Sequence, residues 1–362
     1  MSSVWANNLK ISIFGESHGP YIGAVLDNLP AGEKIDIDEI NFQMQKRAPG
    51  NNSFSSERRE SDYPEIISGV FNGYTTGAPI CAIIKNQDAH SSDYEKFKTV
   101  PRPGTADYTA FKKFGGYNDF RGGGHLSGRL TAPLMFCGSV CQQILKRRGI
   151  SVAAHIFSVD KVFDKPFSYD VSKETLKNLH QQTELPVLDS KIKEQIKNEI
   201  GFYKSEGDSI GGSIECAIVG VKAGIGDPIF FGIENVISSL IFAIPAVKGI
   251  EFGAGFKVSS MKGSENNDQF ILKNDKVQTE NNNHGGILGG ISSGMPIIFR
   301  VAIKPTPSIS LEQNSVDLNK KAPEKLNITG RHDPCIVPRA VPAVKAVASI
   351  AILDLLLGSK KL

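Results

Sequence analysis

Apolar positions along the chain recur at two spacings, and each predicts a different kind of element. Short apolar runs that enter or leave glycine turns, Ile11-Ser12-Ile13-Phe14, Ile80 to Lys85 and Ile297 to Lys304, predict strands. From Leu126 to Arg148 the apolar residues keep helical spacing. The run closes on Lys146-Arg147-Arg148-Gly149, basic residues against the C-terminal dipole followed by a glycine cap. Pro133 falls early in this helix and predicts a later start or a kink. A last helix near Val341 to Leu357 is apolar on nearly every face, which places it between layers rather than on a surface. The middle, about 160–206, predicts charged amphipathic helices in Val171 to Leu179 and Lys191 to Ile200. Ser264 to His284 is polar throughout and reads as a mobile loop.

Two stretches repeat. Gly69-Val-Phe-Asn-Gly73-Tyr-Thr-Thr-Gly77-Ala-Pro79-Ile80 shares its spacing with Gly286-Ile-Leu-Gly-Gly290-Ile-Ser-Ser-Gly294-Met-Pro296-Ile297, at an offset of 217. Gly15-Glu16-Ser17-His18-Gly19 aligns with Gly207-Asp208-Ser209-Ile210-Gly211 at an offset of 192. Two matches in one order predict duplicated halves, about 10–150 and 205–357, joined by a helical segment near 160–206 within one domain spanning 1–362. Strands mixed with long helices predict an α+β fold in which strands pack on a helical layer.

Composition narrows the partners. Lys+Arg 41 against Asp+Glu 38 leaves a net charge of +3, too balanced for a protein that coats nucleic acid or an anionic membrane, although a local basic pocket stays open. The apolar stretch Ala346 to Leu357 falls short of the ~20 residues that cross a bilayer. The first residues show no basic segment followed by an apolar one, so a cytoplasmic protein is expected. Cys81, Cys137, Cys141, Cys216 and Cys335 are scattered without a C-x-x-C, which argues against disulfides and a zinc site.

The candidate chemistry sits in turns. Ser17 and His18 follow a strand, and an imidazole there suits protonation of a departing anion. Arg47, Arg58, Arg59 and Arg102 lie on or beside loops, where converging guanidinium groups bind phosphate or carboxylate; for any one of them a solvated surface charge is the plainer reading. Arg121-Gly-Gly-Gly-His125-Leu-Ser127-Gly-Arg129 opens the long helix and offers an anion site at its start. His284 to Gly294, Lys304 to Ser308 and Gly330 to Cys335 supply bare backbone, hydroxyls and charge for a flat phosphorylated ligand. No G-x-x-x-x-G-K-[ST] occurs, and Gly253-Ala-Gly255 lacks a third glycine, so P-loop and dinucleotide-binding folds are not expected.

In order, FGESHG (14–19), RAPG (47–50) with ERRESD (57–62), SGVFNGYTTGAPI (68–80), RPGTADYT (102–109), FRGGGHLSGR (120–129), PAVKGIEFG (245–253), NHGGILGGISSGMPI (283–297), KPTPS (304–308) and GRHDPC (330–335) resemble the chorismate synthase family. The resemblance runs from about residue 10 to the last helix. It implies an internally duplicated β-α-β sandwich, with helices held between antiparallel sheets, assembled as a homotetramer. It also implies a lyase of the shikimate pathway and aromatic amino acid biosynthesis. The reaction it implies is the 1,4-anti elimination of phosphate from 5-enolpyruvylshikimate 3-phosphate to give chorismate, with reduced FMN as cofactor.

Carried onto this sequence, the resemblance makes His18, Asp333, Ser17 and Ser127 catalytic, with His18 on the leaving phosphate and Asp333 passing a proton near the flavin. Arg47, Arg102, Arg129 and Arg331 would bind substrate. His125, Ser127, Pro245, Ala246, Gly289, Lys304, Pro305, Thr306, Pro307, Ser308 and Arg331 would hold FMN, and no metal is implied. The resemblance departs at Thr105, where relatives usually carry a second catalytic histidine; it also departs at Ala48, Leu126, Pro245 and His125, the last standing where many relatives have Arg. Some family members reduce their own flavin with NADPH; at 362 residues this chain matches the monofunctional type, which implies an external flavin reductant. The alternatives are a flavin-binding scaffold without elimination activity and a non-flavin enzyme for another phosphorylated sugar acid.

Overall fold

The computed structural model describes residues 3–50, 60–87, 92–328 and 332–359. Arg58, Arg59 and Arg331 lie outside them. Two five-stranded antiparallel sheets enclose the long helices. The first sheet runs Val4–Ala6, Lys10–Gly15, Tyr21–Asp27, Ile80–Lys85, Pro64–Ser68 in spatial order. The second runs Val247–Phe252, Ile297–Ile303, Gly212–Val219, Ser151–Val159, Val162–Phe163.

Period-two alternation sets the inner faces. Ile22, Ala24 and Leu26 pair with Ile84, Ala82 and Ile80, and all six are buried. Ile214, Cys216 and Ile218 lie opposite Val301, Phe299 and Ile297 in the same way. Tyr21–Asp27 and Ile80–Lys85 hold the centre of one sheet as Gly212–Val219 and Ile297–Ile303 hold the centre of the other. The sequence offsets of 192 and 217 carry the first pair onto 213–219 and 297–302.

Between the sheets, the Thr131–Arg147 helix packs on Tyr21–Asp27 and Ile80–Lys85, while the Val337–Gly358 helix packs on Ser151–Val159 and Gly212–Val219. The two helices cross at Gly138, where a side chain would collide with Ala346. The first helix starts at Thr131, later than Leu126, because the glycine-rich stretch before it forms 3-10 turns over Arg121–Leu126 and Gly128–Leu130. Pro133 then falls in the first turn, where no backbone donor is needed.

The last helix starts at Val337, earlier than Val341, with Pro338 in its first turn. It is 22 residues long with a mean hydropathy of 2.0 over its most apolar window, enough by length and composition to cross a membrane, yet 89% of that window is buried inside the protein. Its apolarity on every face follows from contact with helices on one side and a sheet on the other.

The middle segment forms the helices Lys173–Gln181 and Lys193–Ser205. Phe167, Val171 and Leu179 cover the outer face of the second sheet over Ala153, Ala217 and Ile298. The polar run from Ser264 to His284 is not the irregular loop its composition predicts. It holds the short helix Gly263–Asn266 and the hairpin Phe270–Lys273/Lys276–Thr279, whose turn uses Asn274 and Asp275 with positive φ.

Candidate active site

A cleft of about 900 Å³ opens where the first strands meet the glycine-rich turns, the loop after Arg102, the end of the Ile233–Ile241 helix and the Lys304–Pro307 turn. Arg102, Thr105, His125, Ser127, Pro245, Ala246, Lys304, Thr306 and Pro307 all line it. Residues far apart in sequence are thus brought onto one wall. Ala246 has φ 73°, a left-handed conformation that turns the chain into the cleft before Val247 begins its strand.

Polar groups mark one part of this wall. Lys304 Nζ donates to the carbonyl oxygen of Gly104. Burial, and secondly the nearby Lys248 ammonium, pushes Lys304 below the usual lysine range. Thr306 Oγ1 is buried with no hydrogen-bond partner among the described residues, while its carbonyl oxygen accepts from Ser209 Oγ at 2.6 Å. Ser127 Oγ accepts from the Arg129 backbone N–H at 3.3 Å and so caps the turn before the long helix. His125 joins Ser3 Oγ at 2.6 Å and the Gly15 carbonyl oxygen at 2.7 Å, which fixes its ring across the mouth of the first strands. Ser308 is buried next to this turn, and Pro305 packs close to Gly211.

His18 and Ser17 sit just behind Gly122, where a Cβ would collide with the imidazole. Gly122 has φ 58°, and the bare backbone there is what lets the glycine-rich turn lie over His18. Tyr94 meets the His18 ring edge-on at 4.8 Å. Ser17 Oγ is buried without a hydrogen-bond partner among the described residues. Asp119, on the cleft wall, is held low chiefly by its hydrogen bond from Arg121, and the His18 imidazole adds to this.

The expected arginines among the described residues, Arg47, Arg102 and Arg129, are each held by a carboxylate rather than standing open. Arg102 grips Asp107 with Nε at 2.8 Å and Nη2 at 2.9 Å, and stands over the Phe97 ring at 4.9 Å. Arg47 and Arg129 are buried on opposite oxygens of Asp62; Arg129 also reaches Asn86 Oδ1 at 2.9 Å and Glu60 at 3.6 Å. Arg129 therefore points into a carboxylate cluster rather than forming an anion site at the start of the long helix. Burial acts to raise the Asp62 carboxyl, but the two guanidinium groups outweigh it and hold it below the usual range. Arg339 pairs with Asp333 through Nη1. Next to Asp333, His332 is pushed down by burial first and by the nearby Arg102 guanidinium second. Gly289 lies apart, at the turn of the Ile287–Leu288/Ile291–Ser292 hairpin, and does not line the cleft.

This arrangement, with its motif order, extends along the whole chain: a family model described as chorismate synthase matches residues 9–357. The chain belongs to the chorismate synthase family. It is 45% identical to a chorismate synthase of Dehalococcoides mccartyi over 99% of this chain and 97% of that protein. It is 44% identical to one from Thermococcus gammatolerans over 97% of each. A crystal structure of a chorismate synthase superposes with a TM-score of 0.76 at 28% identity, covering 98% of this chain and 93% of that one. The family fold, helices between antiparallel sheets, is the fold seen here.

Asp62, Glu60, Asn86 and Arg339 were not singled out by sequence reasoning. ERRESD contains the two acids, but nothing in the letters shows that they turn inward to meet Arg47 and Arg129. The positive φ of Asp62, 51°, belongs to the turn that aims it.

Proposed function

We propose that the chain binds reduced FMN in the 900 Å³ cleft and eliminates phosphate from 5-enolpyruvylshikimate 3-phosphate to give chorismate, as a carbon-oxygen lyase. The supporting observation is the convergence of Ser127, Pro245, Ala246, Lys304, Thr306 and Pro307, the positions expected to hold the flavin, on one cleft of cofactor size. The residues fit such a group. The unpartnered Thr306 hydroxyl and the Lys304 ammonium suit a phosphate, and the apolar wall of Ile11, Leu134 and Leu240 suits a ring system.

When bound, reduced FMN supplies transient electron density that weakens the allylic C–O bond and is recovered as the C6 hydrogen leaves, so no net oxidation occurs. The chain's own residues orient and exchange protons. His18 donates a hydrogen bond or proton to the departing phosphate, and the Ser17 hydroxyl beside it adds a second donor where charge develops. Asp333, oriented by Arg339, takes the C6 proton. Arg102, which lines the cleft and is held rigid by Asp107, offsets substrate negative charge. Arg47 and Arg129 support it from behind through Asp62, and Arg331 adds a further substrate contact in this reading, while Gly289 stays outside the cleft.

Two broader features belong to the same proposal. The flavin is reduced from outside, and the chain assembles as a homotetramer; exposed aromatic side chains such as Phe230 and Phe256 support an assembly surface. The matching strand orders of the two sheets support an internal duplication, in which Ser151–Val159, placed before residue 205, takes the position that Lys10–Gly15 holds in the first half.

Anaerobic turnover with chemically reduced FMN and 5-enolpyruvylshikimate 3-phosphate tests the reading. Chorismate and phosphate released in equal amounts support it. Flavin binding without either product moves the reading to an inactive scaffold.

A further inference from the structure

Positive charge also gathers away from the cleft. The Ile37–Arg47 helix supplies Lys46, the Val337–Gly358 helix supplies Lys345 and the Lys173–Gln181 helix supplies His180, and the three line one small cavity with Gln43. Lys46 Nζ donates to the His180 carbonyl oxygen, and Lys345 Nζ to Gln43 Oε1 at 3.3 Å. Neither ammonium has a carboxylate partner within ion-pair distance among the described residues.

Glu39 is the acidic group nearby, and it is engaged. It accepts from Gln43 Nε2 at 2.8 Å and faces His180 Nε2 at 3.6 Å. Lys146, from the Thr131–Arg147 helix, adds another positive charge, and the Cys216 thiol faces Lys345 from the second sheet. An ammonium carries three donors, and two ammoniums sharing a cavity are costly when the one nearby carboxylate, Glu39, acts on both from beyond ion-pair distance. Burial first, and Lys345 second, lowers Lys46 to about 7; burial lowers Lys345 to about 8; burial and then the two lysines lower His180 to about 4. The cavity volume, about 30 Å³, admits roughly two water-sized groups. That is room for a monatomic ion or a very small carboxylate and too little for a phosphorylated metabolite.

We propose that Lys46 and Lys345 bind a small monovalent anion of chloride size in this cavity. The anion takes the donors that the protein leaves unused and supplies the missing negative charge where three helices meet. Because it binds the ammonium forms, its hold weakens as the pH rises past the titration of the two lysines.

Thermal unfolding of the full chain in sodium chloride against sodium gluconate at equal ionic strength tests this. Chloride is expected to raise the Tm at pH 7 by about 2 °C, with a smaller rise at pH 9.5. Lys345→Met, which fills the space without charge, is expected to lose the chloride response and to be more stable than the wild type in gluconate. Crystals of the wild type soaked in bromide should show an anomalous peak between the two ammoniums. An equal chloride response in wild type and Lys345→Met, or bromide-soaked crystals with no peak in the cavity, overturns the proposal. If Lys345→Met does not fold, the bromide result decides alone.

Discussion

Arg339 donates its Nε hydrogen to the backbone carbonyl oxygen of Arg47 at 3.0 Å. This bond joins the C-terminal helix to the end of the Ile37–Arg47 helix, so elements from the two ends of the chain share one guanidinium. The same side chain holds Asp333 through Nη1, while Arg47 holds Asp62. Position 339 thus sets Asp333 against the buried arginine cluster, and a planar fork is what allows both contacts together.

Arg339→Lys keeps the charge but cannot serve both partners at once. Turnover with reduced FMN is expected to fall at least tenfold, about 1.4 kcal/mol of barrier, with an unchanged circular dichroism spectrum. Full activity in this variant means that Asp333 is positioned without Arg339.

Asp62→Asn leaves Arg47 and Arg129 buried with one neutral amide between them and Glu60 at 3.6 Å. Asparagine tolerates the left-handed backbone at this position, so the loss reports charge rather than strain. Breaking a buried pair on one side costs about 3–5 kcal/mol. Urea unfolding should show a loss of that order at pH 7. In the wild type the Asp62 contribution is present above the carboxyl's ordinary 3.8 and lost as the pH falls through its lowered folded value.

Gly122→Ala places a methyl group against the His18 imidazole and Ser17 Oγ, on a backbone with φ 58°. The histidine must move. Elimination is expected to drop about 100-fold, in the range of a lost general acid, while FMN affinity measured by fluorescence quenching holds. Equal losses of both readouts point to a collapsed turn instead.

The Thr105 hydroxyl donates to the Arg102 carbonyl oxygen at 2.9 Å and accepts from the Asp107 N–H at 3.2 Å. It closes the turn that presents Arg102. Thr105→His trades these bonds for an imidazole on the cleft wall. The variant is expected to be less stable by about 1 kcal/mol, and its kcat profile should gain one imidazole ionisation beyond those of the wild type. Identical pH profiles show that position 105 does not meet the reacting groups.

The strand at Ile80 was legible because it buries alternate residues against one layer, and those at Ile11 and Ile297 because short apolar runs enter or leave glycine turns. Lys304, Ala246 and Ser127 were picked out through motif order, and all three line the cleft. Asp62 and Arg339 were not, because the ion pairs of Asp62 with Arg47 and Arg129 and the bond of Arg339 to the Arg47 carbonyl join separate segments and leave no local spacing to read. The hairpin within 270–279 was hidden for another reason. Its strands are largely exposed, so no apolar alternation marks them, and only Asn274-Asp275 signals the turn.

His155 gives a pH dependence whose sign follows from its partners. Nδ1 faces Asp164 Oδ2 at 2.9 Å and Nε2 faces Glu215 Oε2 at 3.1 Å, so both ring nitrogens can bond fully only when both carry hydrogen. Burial would lower this imidazole, but the hydrogen bonds it donates to Asp164 and Glu215 outweigh it and raise it above the ordinary 6.5. A raised base binds its proton more tightly in the folded chain, so its stabilisation is complete below 6.5 and is lost as the pH climbs through the folded value. His155→Gln removes that titration and leaves one of the two carboxylates with one donor fewer, its bonds from backbone N–H groups remaining. The wild type is therefore expected to exceed the variant in stability by about 1–3 kcal/mol at pH 6, and the gap should narrow as the pH rises, read from urea midpoints across the range. A gap that stays constant with pH places a neutral ring between the two carboxylates and reverses the assignment.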